Sequence, residues 1–357
     1  MSAHPGKQGR SATDACGLAA TMIVRNEARC LARCLDSIRP WVDRMIVVDT
    51  GSTDATRDIA IAAGAEVHRI AWPNSFAVAR NHALSLSNAN WNLVIDADER
   101  IETGGELLRA WTRTAGATLG TVCVHSAFDV ERGAGEPQTA QSWITRVLPR
   151  GALFEGRVHE QVAGTLPRVR LGLHLSHDGY CDAQLGRKRD RNGPLLLAEL
   201  GDRPGDPYIL YQLGRDAEML GDLADASLHY ADALAEAPLN AGWRHALVLC
   251  QVAALGRLGQ LDMALALVAR EELHWPKSPD FFFVAGDLYL NCAVADPAGA
   301  IDHWLPLACA AWERCLSIGD QPELEGSVHG RGGRLARQNL DMVRGQLAQL
   351  GRRAVGT

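Results

Sequence analysis

Two stretches constrain this chain more than any others: IVVDTGSTD, from Ile46 to Asp54, and WNLVIDADE, from Trp91 to Glu99. Each is a short apolar run that ends in carboxylates. Continuous apolar runs of this length read as buried strands of a parallel sheet. In open α/β sheets, ligands bind outside the carboxyl ends of the strands. Acidic groups at two such ends suit a ligand that brings a diphosphate and a metal ion.

The surrounding pattern extends this reading. LAATMIV (Leu18 to Val24) is another buried strand, followed by a helix with Ala28, Leu31, Cys34, Leu35 and Ile38 on one face and Pro40 just beyond its end. MIVV (Met45 to Val48), EVHRI (Glu66 to Ile70) and NLVI (Asn92 to Ile95) read as strands, and ATRDIAIAA, closed by Gly64, and FAVARNHALSLS (Phe76 to Ser87) as the helices between them. Strands alternating with helices predict a parallel, helix-covered sheet. From Leu107 to about Tyr180 the texture changes to strands, TVCVHSAF, WITRVLPR and LPRVRLGLHLSHDGY, separated by polar loops; these should complete the sheet.

Beyond Asp182 the chain is rich in Ala and Leu and reads as almost entirely helical. Tyr211 to Asn240 fits the tetratricopeptide consensus, with Leu213, Gly214, Gly221, Ala226, Tyr230, Ala233 and Pro238 at its small and large positions, although Ala217 stands where an aromatic is usual. LGQLDMALAL repeats the entrance of the second helix with Ala264 in place of Ala226. FFFVAGDLYL repeats the first helix with Gly286 in place of Gly214. The expected organisation is a tail over 1–17, an α/β domain over 18–181, a linker or helix over 182–206, and a tetratricopeptide-like helical-repeat domain over 207–350.

Composition narrows the function. At 357 residues, 47% hydrophobic and 22% charged, the chain is that of a globular protein with room for two domains. Its formal net charge of −6 offers no electrostatic footprint for nucleic acid or an anionic membrane. No apolar run reaches the ~20 residues of a transmembrane segment, and MSAHPGKQGRSATDACG lacks the apolar centre of a signal peptide. The nine cysteines form no CxxC pair, so the expectation is a reduced, cytoplasmic protein.

MIVRNEARCLARCLDSI, IVVDTGSTDATRDIA, FAVARNHAL, LVIDADE, FEGRVHEQV and HDGY, in that order, resemble the family 2 glycosyltransferases of GT-A type, and in particular the bacterial subgroup with tetratricopeptide-like helices after a short catalytic domain. The resemblance implies a Rossmann-like, mostly parallel GT-A sheet. It also implies inverting transfer from a nucleoside-diphosphate sugar, a UDP-sugar by expectation, assisted by Mg²⁺ or Mn²⁺.

Individual residues are assigned on both grounds. Asp49 can accept the imide N–H of a nucleotide base, while Ser52 or Asp54 caps the next helix. Asn26 and Glu27 follow the first strand at the same sheet edge, with base or ribose contact and helix-start stabilisation as the two readings. Asp96, Asp98 and Glu99 repel one another unless a cation neutralises them. Hard divalent cations take oxygen ligands and bridge to phosphates, so Asp98 is assigned to the metal and Asp96 to the ribose or a metal-bound water. Arg80, next to Asn81, can hold a diphosphate with its fork of donors, or form a surface ion pair. Glu160 is the candidate base for the acceptor, with a loop salt bridge to Arg157 or Arg168 as the alternative, and His159 is assigned to orienting the acceptor or reaching the phosphate. His177 is assigned to the metal or pyrophosphate, ahead of His174, because Gly179 and Tyr180 complete the family pattern.

Phosphate-loop, dinucleotide, nucleophile-elbow and HExxH motifs are absent, as is the QxxRW signature of processive synthases, so transfer of a single sugar is expected. The acceptor is expected to be a cell-envelope glycan or a peptide presented by the repeats, which can also mediate a protein partner or a homodimer. Two rivals stand against this. A non-catalytic interaction module with a degenerate α/β domain would be expected to have lost the carboxylates at Asp49, Asp96 and Asp98. A sugar-nucleotide pyrophosphorylase would need a Gly-rich basic loop where the chain has RNEARC.

Overall fold

The computed structural model describes residues 17–128, 138–177 and 182–355. Its α/β part opens with β1 (Leu18–Val24), α1 (Leu31–Ile38), β2 (Arg44–Asp49), α2 (Thr56–Ala62), β3 (Glu66–Arg69), α3 (Phe76–Ser85) and β4 (Trp91–Val94), the order and type that the apolar periodicity predicts. Leu31, Cys34, Leu35 and Ile38 are the buried face of α1, while Ala28 falls in the turn before it. The chain continues through β5 (Glu99–Thr103), α4 (Gly105–Thr114), β6 (Leu119–Phe128), β7 (Gln138–Pro149), β8 (Phe154–Glu155), β9 (Gln161–Val162) and β10 (Arg168–His177). β5 follows the acidic turn directly and has no apolar alternation to announce it, since its sequence is ERIET.

Eight strands form one mixed sheet in the order β3-β2-β1-β4-β7-β6-β10-β5, and β8 and β9 form a small second one. β1 lies parallel to both β2 and β4, with Thr21 opposite Ile46 on one side and Val94 on the other. β2 is parallel to β3, and β4 pairs antiparallel with β7, Leu93 facing Val147. Both faces of β1 are covered, which is why Leu18, Ala19, Ala20, Met22 and Val24 are all buried. Gly104 takes φ 87°, and a Cβ there would strike the backbone of Gly172 in β10, so only glycine lets α4 start this close to the sheet.

Two compact units emerge. One holds Met1–Val122, Ile144–Glu155 and Glu160–Leu175; the other holds Cys123–Trp143, Gly156–His159 and Ser176–Thr357. In the second, α5 (Asp182–Asp202) occupies most of the span expected as linker or helix. Then come α6 (Pro207–Leu220), α7 (Leu223–Glu236), α8 (Arg244–Arg257), α9 (Leu261–Glu271), α10 (Pro279–Ala295), α11 (Leu305–Ile318) and α12 (Arg334–Val355). Asp206, Asp222 and Ser278 cap α6, α7 and α10 by accepting first-turn N–H groups.

The same packing device occurs twice. Gly214 of α6 lies against the Tyr230 ring of α7, and Gly286 of α10 lies against the Trp312 ring of α11. The small residue lets two helices approach while a large ring from the second fills the gap. Tyr230 and Trp312 are fully buried as a result, and the Tyr230 hydroxyl donates to Glu218 Oε2 at 2.8 Å. Ala226 and Ala264 are likewise fully buried at corresponding points of α7 and α9. Among the described residues, no helix is long and apolar enough to cross a membrane. Gly214→Ala should destabilise the helical unit by about 1–3 kcal/mol through overpacking against Tyr230, read as a lower urea midpoint at unchanged m-value.

Candidate active site

The strand order places β1 between β2 and β4, so consecutive crossovers leave β1 on opposite sides. That reversal lies between β1 and β4, and the carboxyl ends of strands at such a switch point are the usual ligand position in these sheets. Asn26, Asp49 and the turn from Asp96 to Glu99 all belong to this edge.

The loops after β1 and β2 are laced together by short polar side chains. Asn26 N–H donates to Ser52 Oγ at 3.0 Å, and Asn26 Oδ1 accepts from Thr53 N–H at 2.8 Å. Glu27 N–H donates to Thr56 Oγ1 at 2.7 Å, and Ala28 N–H to Asp54 Oδ2 at 3.2 Å. Asn26 sits at φ 58°, a left-handed conformation that Asn tolerates better than most residues. Glu27 Oε2 accepts from the Cys30 thiol at 3.3 Å. The TGSTD sequence therefore serves first to hold two loops in register. Asp54 also accepts from Thr56 N–H at the start of α2. Ser52, expected as a cap, instead receives Asn26, and the N-cap position of α2, Ala55, has no side-chain cap.

Asp49 ends β2 with no exposed surface. Its Oδ1 accepts from Ser52 N–H at 3.0 Å, while Oδ2 has no hydrogen-bond partner. Arg57 Nε and Arg69 Nε stand 3.9 and 4.0 Å from that oxygen, within electrostatic reach but too far for hydrogen bonds. A buried carboxylate oxygen without a donor is costly, and a ligand N–H would relieve it.

The centre of the site is an ionic network. Arg80, buried in α3, donates through Nη2 to Asp96 Oδ1 at 2.7 Å and through Nε to Glu160 Oε1 in a very short contact. Arg146, buried in β7, donates through Nη2 to Asp96 Oδ2 at 2.7 Å and to Glu99 Oε1 at 2.5 Å. Glu99 Oε2 closes the turn by accepting from Asp96 N–H at 3.0 Å. Burial alone would raise the Asp96 pKa, but Arg146 and Arg80 outweigh it and hold the carboxyl well below the usual range. Glu99 goes the other way: burial and the Asp96 charge raise its pKa in spite of Arg146. Arg80 Nη1 is buried with no partner, and its guanidinium stacks 5.9 Å from the centre of the Phe154 ring.

The structure thus brings Arg80, Asp96 and Glu160 into direct contact, with Asp98 half-buried on the same turn as Asp96. Glu160 is paired with Arg80, not with Arg157 or Arg168 as its salt-bridge alternative had it; Arg157 binds Asp202. The Asn81 amide is spent on the backbone of Phe154, donating to its carbonyl at 2.9 Å and accepting from its N–H at 2.8 Å, so in the structure it anchors β8 to α3. His159 and His177 belong to the second unit. His159 adopts φ 52° and keeps an exposed surface; the protein packed around its ring lowers its pKa, and the charges of Arg215 and Arg191 add to this. A ring nitrogen of His177, Nδ1, lies 3.2 Å from Ser126 Oγ. Asp178, Gly179 and Tyr180 of the HDGY pattern lie outside the described residues.

Arg146 is the site residue that the sequence reading missed. Its signal was present: an arginine inside an apolar strand, WITRVLP, is seldom buried unless paired. With Asp96 depressed, its contribution to stability is complete above the ordinary carboxylate range near pH ~4 and is lost as the pH falls below it. Asp96→Asn should lower stability at pH 7 by about 3–5 kcal/mol, since it uncouples buried charges. It should also flatten the acid limb of a Tm-against-pH curve between about pH 4 and pH 2.

Residues 20–154, in the α/β part, match the family described as Glycosyl transferase family 2. A TPR repeat-containing protein of Synechococcus elongatus is 33% identical over 261 residues, 68% of this chain and 63% of that protein. The SPbeta prophage-derived glycosyltransferase SunS of Bacillus subtilis is 27% identical over 266 residues, 71% of this chain and 62% of that protein. The chain thus spans less than two thirds of the length of either relative. Among solved structures, glucosyl-3-phosphoglycerate synthase from Mycobacterium tuberculosis, in complex with Mn²⁺, UDP and glucosyl-3-phosphoglycerate, is 23% identical. It covers 34% of this chain and 50% of its own, with a TM-score of 0.26, too low to carry a conclusion about this chain.

Proposed function

We propose that this chain is an inverting glycosyltransferase that moves one sugar from a nucleoside-diphosphate sugar, expected to be a UDP-sugar, to a glycan or peptide acceptor. The observation that carries the reading is a pair of buried polar atoms without protein partners, Asp49 Oδ2 and Arg80 Nη1, belonging to groups of opposite charge at the ligand-binding edge of a family 2 domain. A nucleoside diphosphate offers the complement of both: base N–H donors for the carboxylate and phosphate oxygens for the guanidinium.

On this reading Asp49 takes the base, Asn26 and Glu27 shape the loop around it, and Arg80 turns its unpartnered nitrogen to the diphosphate. The leaving group departs with the electron pair of the anomeric C–O bond, and the Arg80 charge stabilises the oxygen that receives it. The acceptor attacks the anomeric carbon from the opposite face while its proton passes to a carboxylate, for which Glu160 is our candidate. Glu160 is held by Arg80 in the structure. Engagement of Arg80 by the diphosphate weakens that pair and frees the carboxylate for proton transfer.

The residues fit a hard divalent cation, because the donors at the acidic turn are carboxylate oxygens. Both oxygens of Asp96 are engaged by guanidinium groups, so Asp98 is the carboxylate of the turn that we assign to Mg²⁺ or Mn²⁺, and Asp96 is left to act through the ribose or a bound water. When bound, the cation would supply further neutralisation of the leaving diphosphate. The paired helices of the second unit, stacked as repeats, would offer a concave surface for the acceptor.

Calorimetric titration with UDP and GDP, with and without Mn²⁺, tests the donor. One nucleotide should bind in a metal-dependent way to the wild type, and Asp98→Ala should lose the metal dependence. A folded protein that binds neither nucleotide overturns the reading. Glu160→Gln should retain nucleotide binding and lower kcat for UDP-sugar turnover by about 10²–10⁴-fold, the usual worth of a general base.

A further inference from the structure

The turn Asp96-Ala97-Asp98-Glu99 carries three carboxylates in four residues, an arrangement that ordinarily calls for a metal ion. Asp96 and Glu99 are both paired with a buried arginine. Arg146 Nη2 lies between Asp96 Oδ2, at 2.7 Å, and Glu99 Oε1, at 2.5 Å. One positive centre is thereby shared by two carboxylates, the task a bridging cation performs elsewhere. The remaining oxygens of both groups are occupied as well, Asp96 Oδ1 by Arg80 and Glu99 Oε2 by the Asp96 N–H.

We propose that Arg146 is a built-in counter-cation, a positioning residue that organises the acidic turn before any metal or nucleotide arrives. The β4–β7 ladder makes this possible. Leu93 pairs with Val147, so the residue before Val147 reaches the turn that leaves β4, and a strand backbone holds it there without a flexible loop. Burial strengthens the effect. Arg146 keeps 9% of its side-chain surface and Glu99 3%, so the attraction is poorly screened by solvent. Asp96 then has no oxygen to spare as a direct metal ligand, and the order of the turn does not depend on a cation. What this means for catalysis rests on the transferase reading above; the neutralisation of Asp96 and Glu99 by Arg146 does not.

The test uses the full-length chain and divalent metal alone, without nucleotide, so that it stands or falls apart from the donor assignment. The variants are Arg146→Met, which removes the charge at similar length, and Arg146→Lys, which keeps a point charge. Tm is measured in EDTA and in Mn²⁺, and Mn²⁺ binding is counted by electron paramagnetic resonance. The wild type should hold its Tm in EDTA. Arg146→Met should melt lower in EDTA, recover much of the loss in Mn²⁺, and bind Mn²⁺ about tenfold more tightly than the wild type, because Glu99 Oε1 and Asp96 Oδ2 then lack their guanidinium partner. Arg146→Lys should show a markedly smaller Mn²⁺ response. If Arg146→Met does not fold, Arg146→Met combined with Glu99→Gln should fold and show no gain in Mn²⁺ affinity. Failure of that double variant to fold overturns the proposal. So does a wild type that unfolds in EDTA, or an Arg146→Met variant that responds to Mn²⁺ no more than the wild type does.

Discussion

The carboxyl-end architecture of the α/β unit depends on one buried ionic network, Arg146–Asp96–Arg80–Glu160 with Glu99 closing the turn. Its members come from β7, the turn after β4, α3 and the segment between β8 and β9, which are far apart in the chain. Buried charges that lose their partners cost several kcal/mol, so these elements hold their relative positions only together. The three carboxylates and two guanidinium groups sum to a single negative charge. A buried cluster near neutrality can persist in a protein interior where an isolated carboxylate would be driven to its neutral form.

The same network holds the candidate site from several sides. Asp96 is gripped from two sides, Glu160 from one, and Asn81 fixes the backbone of Phe154 under the Arg80 ring contact. At the neighbouring strand end the solution is different: neutral hydroxyls, an amide and a carboxylate lace two loops, and Asp49 Oδ2 and Arg57 Nε are left buried without hydrogen-bond partners. Asp49 Oδ2 and Arg80 Nη1, both buried without hydrogen-bond partners, belong to groups of opposite charge.

Much of the fold was legible from periodicity. β1 to β4 and their helices follow from apolar runs and a helical stripe, and the glycine–aromatic contacts of α6 with α7 and α10 with α11 follow from the positions at which Gly214, Tyr230 and Gly286 recur. β5 was not legible, because ERIET has no hydrophobic alternation and is a strand only through its place at the sheet edge beside β10. Among the candidate site residues, Asp49, Arg80, Asp96 and Asp98 stand out in sequence because carboxylates after apolar runs, and an arginine in a nearby helix, are local patterns. Their partners were not local. Arg80 and Glu160 are eighty residues apart, and Arg146 and Asp96 fifty.

By itself the sequence determined the alternation of strands and helices, the change to paired helices beyond Asp182, and the acidic character of two strand ends. These are set by side-chain periodicity and by the residues adjoining each run. Only the tertiary structure decided how that acidity is neutralised. In sequence, three crowded carboxylates point to a metal; in the fold, antiparallel pairing of β4 with β7 brings Arg146 to two of them, and α3 brings Arg80 to Asp96 and Glu160. Charge at one point of a protein is balanced by whatever the fold carries within a few ångströms, and the identity of that neighbour is a property of strand register and helix packing, which no local pattern encodes.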